Sequence, residues 1–212
     1  MEHNRIALIA SLDTKLQETL YAKHEIESCG GQGLIIDIST KTLMDAGAAV
    51  GPADILARYG MTWEEFGPLD KAQSIETMSN ALTAVMPALY AEGLFDAVIS
   101  IGGGQNARMA AAAMKSLPFG VPKIVASSLA CGRRTMEQYV GDKDIMVVHT
   151  VADISGLNYT TKTVIHNVCH AALGMLQYQR QVTPDSRKKI AATMLGITSK
   201  GVEGALRLLP DG

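Results

Sequence analysis

The chain has few aromatic residues, few cysteines and no long apolar run. Aromatics make up 5% of its 212 residues, with a single tryptophan, which excludes an array of rings on which nucleobases would stack. Three cysteines, Cys29, Cys131 and Cys169, are odd in number and far apart in sequence. That excludes a disulfide scaffold and suits reduced thiols in a reducing compartment. No apolar stretch approaches the roughly 20 residues of a membrane helix, and the opening MEHNRIALIA lacks a signal-peptide cleavage region, so a soluble, cytoplasmic protein is expected. A net charge of −2 supplies no electrostatic attraction for nucleic acid, and the largest basic cluster, Arg187-Lys188-Lys189, reads as a solvated connector.

What is present is apolar and helix-forming: 47% hydrophobic residues, 19% charged and eleven methionines, enough for one well-buried core and part of another. Apolar runs at Arg5 to Ser11, Gly33 to Ile38, Ala97 to Ile101, Lys123 to Ser127 and Asp144 to His149 read as buried strands. Between them lie helical patterns. One starts at a capping box of Thr14 with Gln17 and stops at Gly30-Gly31. Another covers Lys71 to Glu92, where Pro87 should kink or split it, and a third covers Lys162 to Arg180. Ser39 to Leu69 is broken by glycine and proline into short pieces that still carry apolar residues, as a cover over one edge of the core would. The alternation predicts a three-layer, Rossmann-like open parallel sheet with helices on both faces over residues 1–182. Residues 183–212 read as a connector, a strand at Ile190 to Leu195 and a helix at Val202 to Leu209, opening a second α/β subdomain in a chain that is the N-terminal piece of something longer.

In an open parallel sheet ligands collect beyond the carboxyl ends of the strands. Those ends carry Asp13-Thr14-Lys15, Asp37, Gly102-Gly103-Gly104-Gln105-Asn106, Ser127-Ser128 and Thr150 to Asp153. The triple glycine matches neither GxGxxG nor GxxxxGK[ST], and stands between an anion-binding turn and a tight turn that needs glycine sterically. Lys15 could neutralise phosphate, Thr14 and the serines could donate hydrogen bonds, and Asp37 could accept from a ribose hydroxyl. No GxSxG elbow is present. His166 and His170 lie one helical turn apart with Cys169 between them, but no third ligand follows at a metal-site spacing, so they read as a histidine pair on a packed helix.

Three segments taken together, IALIASLDTKLQE, ISIGGGQNARMAAAAMKSLPFGVPKIVASSLACG and QYVGDKDIMVVHTVADISGLN, resemble the N-terminal part of the proteins related to the tomato protein that inhibits tobamovirus replication. The resemblance implies an ATP-binding domain, with ATP and magnesium along Asp13-Thr14-Lys15 and Gly102 to Asn106, and with Ser127, Ser128, Gly141 and Asp142 nearby. It also implies a homodimer and a further C-terminal domain that would carry any chemistry. Where relatives continue the glycine loop with more glycine and a threonine, this chain has Gln105-Asn106-Ala107-Arg108. A different anionic ligand, a protein-interaction module with a structural turn, and an enzyme acting on a carboxylate or phosphate through Asp13, Lys15, His149 and Asp153 remain the alternatives.

Overall fold

The computed structural model describes residues 4–131, 137, 139–178 and 192–208. Five strands form the sheet: β1 (Arg5–Ala10), β2 (Gln32–Asp37), β3 (Ala97–Ile101), β4 (Lys123–Ser127) and β5 (Met146–His149), all parallel, in the order β2-β1-β3-β4-β5. The helices of the same unit are α1 (Leu12–Ser28), α2 (Pro52–Tyr59), α3 (Trp63–Phe66), α4 (Lys71–Ala91), α5 (Gly104–Met114) and α6 (Tyr159–Gln177). The chain divides into two compact units, Met1–Gln179 and Arg180–Gly212.

Because side chains alternate along a strand, each strand feeds two cores. Ala7 and Ile9 of β1 join Val98, Val125 and helices α2, α4 and α5 on one face. Ile6, Leu8 and Ala10 join Ile99, Ile124 and helices α1 and α6 on the other. The expected three layers and helix-covered parallel sheet are therefore present. The irregular segment after β2 does cover a core: Ile55, Leu56 and Phe66 are buried, and Val50 bridges Ile36.

Three local expectations are corrected. Helix α1 begins at Leu12 with Ser11 as its N-cap, and no Thr14–Gln17 capping box forms; backbone amides 12 and 13 are taken by side chains arriving from β2. Helix α4 runs unbroken through Pro87, whose ring is exposed on the outer side of the helix. In the second unit Ile190 and Ala191 lie outside the described residues, while Ala192 to Leu195 forms no strand and α7 spans Ser199–Leu206. Strand geometry needs a paired ladder, and among the described residues no strand pairs with this segment.

At the amino edge of the sheet a buried cation fixes β4 to β5. Lys123 is fully buried, and its ammonium donates to the carbonyls of Pro118 (2.8 Å) and Val121 (2.9 Å) and pairs with Asp144 at 2.9 Å. Burial pushes the Asp144 carboxyl up, but the Gly120 amide and the Lys123 ammonium outweigh it and hold it below the ordinary aspartate range. Asp144→Ala is expected to cost about 3–5 kcal/mol, since it strands a buried cation. With a depressed folded value, the Asp144 contribution is complete above the ordinary value of about 3.9 and is lost as pH falls below it. Urea titrations over that acidic range should show wild-type stability dropping faster than that of Asp144→Asn; parallel curves would refute the pairing.

Candidate functional site

The strand order reverses between β1, which continues outward to β2, and β3, which continues the other way to β4 and β5. Loops leaving the carboxyl ends of β1 and β3 diverge at such a point and leave a crevice. It is lined by Ser11, Asp13, Thr14 and Lys15 after β1, Thr40 and Lys41 after β2, Lys71 at the start of α4, and Gly103 to Asn106 after β3, enclosing about 300 Å³. A second hollow of about 340 Å³ adjoins it through the shared residues Thr40, Lys41 and Lys71, and is completed by Trp63, Gly67, Leu69 and Ser74.

Asn106 joins the two turns. Its side-chain oxygen accepts from the Ser11 amide at 3.1 Å, and its side-chain nitrogen donates to the Ser100 hydroxyl at 2.8 Å. The glycines of the β3 turn differ in what they do. A Cβ on Gly102 would lie 2.8 Å from Asn106 Nδ2, whose amide is held by hydrogen bonds, so packing requires glycine there, while one on Gly104 would crowd the methyl end of Leu129, a half-exposed side chain free to turn away. Gly103 has φ −69 and ψ 175, open to any residue, and a Cβ there meets nothing within 4 Å. Neither backbone strain nor packing requires glycine at this position; what it leaves is bare backbone at the mouth of the crevice.

The helix N-termini that follow β1 and β3 are in opposite electrical states. At α1 the Leu12 amide donates to Asp37 Oδ1 (3.0 Å) and the Asp13 amide to the Ser39 hydroxyl (3.0 Å). At α5 the N-cap Gly103 has no side chain to cap the first amides, which by helix geometry have no intrahelical acceptors. Lys15, Lys41 and Lys71 stand around that end against one lining carboxylate, Asp13. Partial positive charge, bare amides and three ammonium groups are the requirements of an anion site.

Of the residues singled out from sequence, Asp13, Thr14, Lys15, Gly103, Gly104, Gln105 and Asn106 line this crevice; Gly102 sits beneath it against Asn106. Asp37 does not reach it. It is fully buried, bonded through Oδ1 to the Leu12 amide and to the Ser39 amide and hydroxyl, while Oδ2 has no partner. Ser127 is buried and accepts from the Leu129 amide, and Ser128 donates to Asp153 at 3.4 Å, so both serve the turn after β4. Gly141 and Asp142 precede β5 and lie at the opposite edge of the sheet, Gly141 beside Lys115 and Asp142 beside Lys143. Their placement near the glycine loop is corrected: in a parallel strand the residues before it and after it stand at opposite edges. His149 and Asp153 also fall outside the crevice lining.

Lys41, Thr40 and Lys71 were not anticipated. Thr40-Lys41 extends the polar strand end only three to four residues beyond Asp37, a legible signal. Lys71 has no local signal, since it follows the Asp70 N-cap of α4 and is delivered by tertiary packing.

Burial pushes the Asp37 carboxyl up against the pull of Ser39 and the Leu12 and Ser39 amides. The folded protein then keeps this proton to higher pH than the unfolded chain, so Asp37 costs stability as pH rises past the ordinary value of about 3.9. Asp37→Asn, which keeps the Oδ1 acceptor, should gain on wild type as pH rises in denaturant titrations; a constant difference would show that the carboxyl is not raised. Asn106→Ala should cost about 1–3 kcal/mol in the same measurement by leaving the Ser11 amide donor and the Ser100 hydroxyl acceptor without their partner.

The family model for the N-terminal domain of an uncharacterised protein family, UPF0261, matches residues 4–181. A UPF0261 protein of Clostridium tetani is 30% identical over 210 residues, covering 99% of this chain and 52% of that protein. One from Rhizobium meliloti is 29% identical over 212 residues, covering 97% and 50%. The ToMV resistance protein Tm-1(GCR237) of Solanum lycopersicum is 26% identical over 231 residues, covering 98% and 30%. The chain thus spans about half the length of the bacterial relatives it matches. Among the described residues no helix is long and apolar enough to cross a membrane.

Proposed function

We propose, starting from a chain that belongs to the UPF0261 N-terminal-domain family, that the crevice at the β1/β3 carboxyl edge binds the polyphosphate of a nucleotide. The observation that carries this reading is Gly103. It is a glycine that neither backbone nor packing requires, at the uncapped N-terminus of α5 and facing Lys15, Lys41 and Lys71. Bare amides there donate to phosphate oxygens and the lysines neutralise their charge. ATP with magnesium fits the donor set. Asp13 is the one carboxylate lining the crevice, and magnesium is commonly held by one or two carboxylates together with substrate phosphates and water.

The adjoining hollow supplies room for a base. Trp63 offers a ring face, Leu69 an apolar contact and Thr40 a hydroxyl, on the far side of Lys41 and Lys71 from the glycine turn. Asn106 belongs to the architecture of the crevice, so the altered glycine loop of this chain is compatible with phosphate: its amide side chain is turned onto Ser11 and Ser100. The role proposed for this part of the protein is binding. His149 and Asp153 stand outside the crevice, which leaves Asp13 and Lys15 as its ionisable pair from the enzyme alternative. The pairing of two chains in a homodimer is part of the same proposal, and sedimentation reads it directly.

Trp63 is the single tryptophan, so its emission reports on the second hollow alone. ATP–magnesium is expected to bind in calorimetry and to change Trp63 emission, whereas pyrophosphate should compete with ATP without the spectral change. Lys15→Ala and Lys71→Ala should each weaken binding by roughly 10–100-fold, the equivalent of about 1.5–3 kcal/mol for a charge-assisted contact. Gly103→Val, whose side chain enters open space, should abolish binding while the thermal midpoint is kept. Absence of heat with ATP, ADP and pyrophosphate at millimolar concentration, or unchanged affinity in Gly103→Val, would sink the reading.

A further inference from the structure

Helices α1 and α6 lie side by side on one face of the sheet and run in the same direction, so residues at matching turns face each other. Three rungs one turn apart join them. Lys162 stands over the ring of Tyr21 at 5.7 Å, His166 Nδ1 meets Glu25 Oε2 at 2.7 Å, and His170 Nε2 lies 3.9 Å from the same oxygen and 3.7 Å from Cys29 Sγ. Each helix contributes an i, i+4 pair, Glu25 with Cys29 and His166 with His170. The imidazoles stack with centroids 4.0 Å apart.

Sequence spacing offers two histidines and no third ligand. The fold supplies the rest from a helix 141 residues away in sequence. The cysteine between the histidines is not involved. Cys169 is buried against the Ala22 carbonyl with its thiol pushed up to about 12, on the core side of α6.

We propose that Glu25, His166, His170 and Cys29 form a binding site for a divalent transition-metal ion of the zinc class, bracing α1 against α6. The ligand atoms of Glu25, His166 and His170 lie within 4.8 Å of one another, and no other group of three or more His, Cys, Asp or Glu among the described residues is so placed. Two imidazoles, a carboxylate and a thiol are donor types that zinc takes in four-coordinate sites. With metal–ligand bonds of about 2.0–2.3 Å, neighbouring donors of a tetrahedron stand roughly 3.3–3.8 Å apart. The 3.7 Å His170–Cys29 separation falls in this range; His170 has to close slightly on Glu25 from 3.9 Å, the 2.7 Å Glu25–His166 contact has to widen, and Cys29, whose thiol stands outside the 4.8 Å cluster of the other three donors, has to turn in by side-chain rotation. Side-chain exposures of 50% for His166 and 39% for His170 give an ion a path in, while Glu25 at 16% anchors the floor. In the metal-free arrangement His166 satisfies Glu25, and His170 is left beyond hydrogen-bond range of the carboxylate. A metal ion lets all four donors act on one centre. This pairing is separate from the crevice, since Glu25 lies twelve residues beyond Asp13, roughly 18 Å along α1.

The test uses the whole chain stripped by a chelator and titrated with zinc, and in parallel with cobalt as a spectroscopic probe. One equivalent of zinc is expected to bind and to raise the thermal midpoint. Cobalt should give the intense d–d bands of a tetrahedral site with a thiolate charge-transfer band, and that band should vanish in Cys29→Ser. His166→Ala and His170→Ala should each lower affinity at least as much as the roughly 10–100-fold that loss of an outer-shell partner costs. Both side chains are partly exposed, and circular dichroism of the double variant verifies that the helices persist. No stoichiometric binding of either ion, or an isotherm unchanged in the double variant, would overturn the site. Cobalt bound without the charge-transfer band would overturn the assignment of Cys29.

Discussion

A single amide side chain sets the geometry on which the crevice depends. Asn106 sits in the first turn of α5, yet it reaches across to the Ser11 amide at the end of β1 and down to the Ser100 hydroxyl inside β3. It therefore holds two strand-to-helix turns at a fixed separation, with Gly102 left bare so that the amide can pass. Were the turns free to part, Lys15 on one and the α5 amides on the other would no longer face a common ligand. A buried, fully bonded amide is suited to this because each lost bond leaves a donor stranded.

Much of the architecture was legible because it rests on periodicity. Runs such as Ile6 to Ala10 and Val98 to Ile101 are apolar on both sides, as strands covered on two faces must be, and the glycine turn between β3 and α5 announced itself. The crevice was legible in part for the same reason: a parallel sheet presents all its carboxyl strand ends at one edge, which groups Asp13, Lys15 and the Gly103 turn from sequence alone. What failed was side-chain direction. Asp37 stands at the right strand end but turns inward, where the Leu12 amide at the start of α1 and the amide and hydroxyl of Ser39 donate to it. Gly141 and Asp142 were grouped by resemblance, but they precede their strand and so belong to the other edge. Lys71 and Glu25 could not have been found, since each is brought to its neighbours by helix packing across long sequence separations.

The motifs that distinguish the chain also separate by role. The LPxGVPK segment and the YVG-x-x-D turn, prominent as sequence, meet in the Lys123–Asp144 pair and the Gly120–Asp144 bond. They lock β4 to β5 at the amino edge. The DTK turn and the glycine loop meet at the carboxyl edge. The proposed ligand site and the structural lock thus lie at opposite ends of the same strands, and α1 spans the distance between them with Lys15 at one end and Glu25 near the other.

The buried carboxylate of Asp37 takes on a different meaning in this setting. It does for α1 what the proposed phosphate would do for α5: it is a tethered internal anion seated on a helix N-terminus. The turns after β1 and β3 thus end in two helix N-termini, one satisfied from within the chain and one left open. Removing the tethered charge would leave the first amides of α1 without their internal acceptor, so that the turn after β1 would offer bare amides as the turn after β3 does.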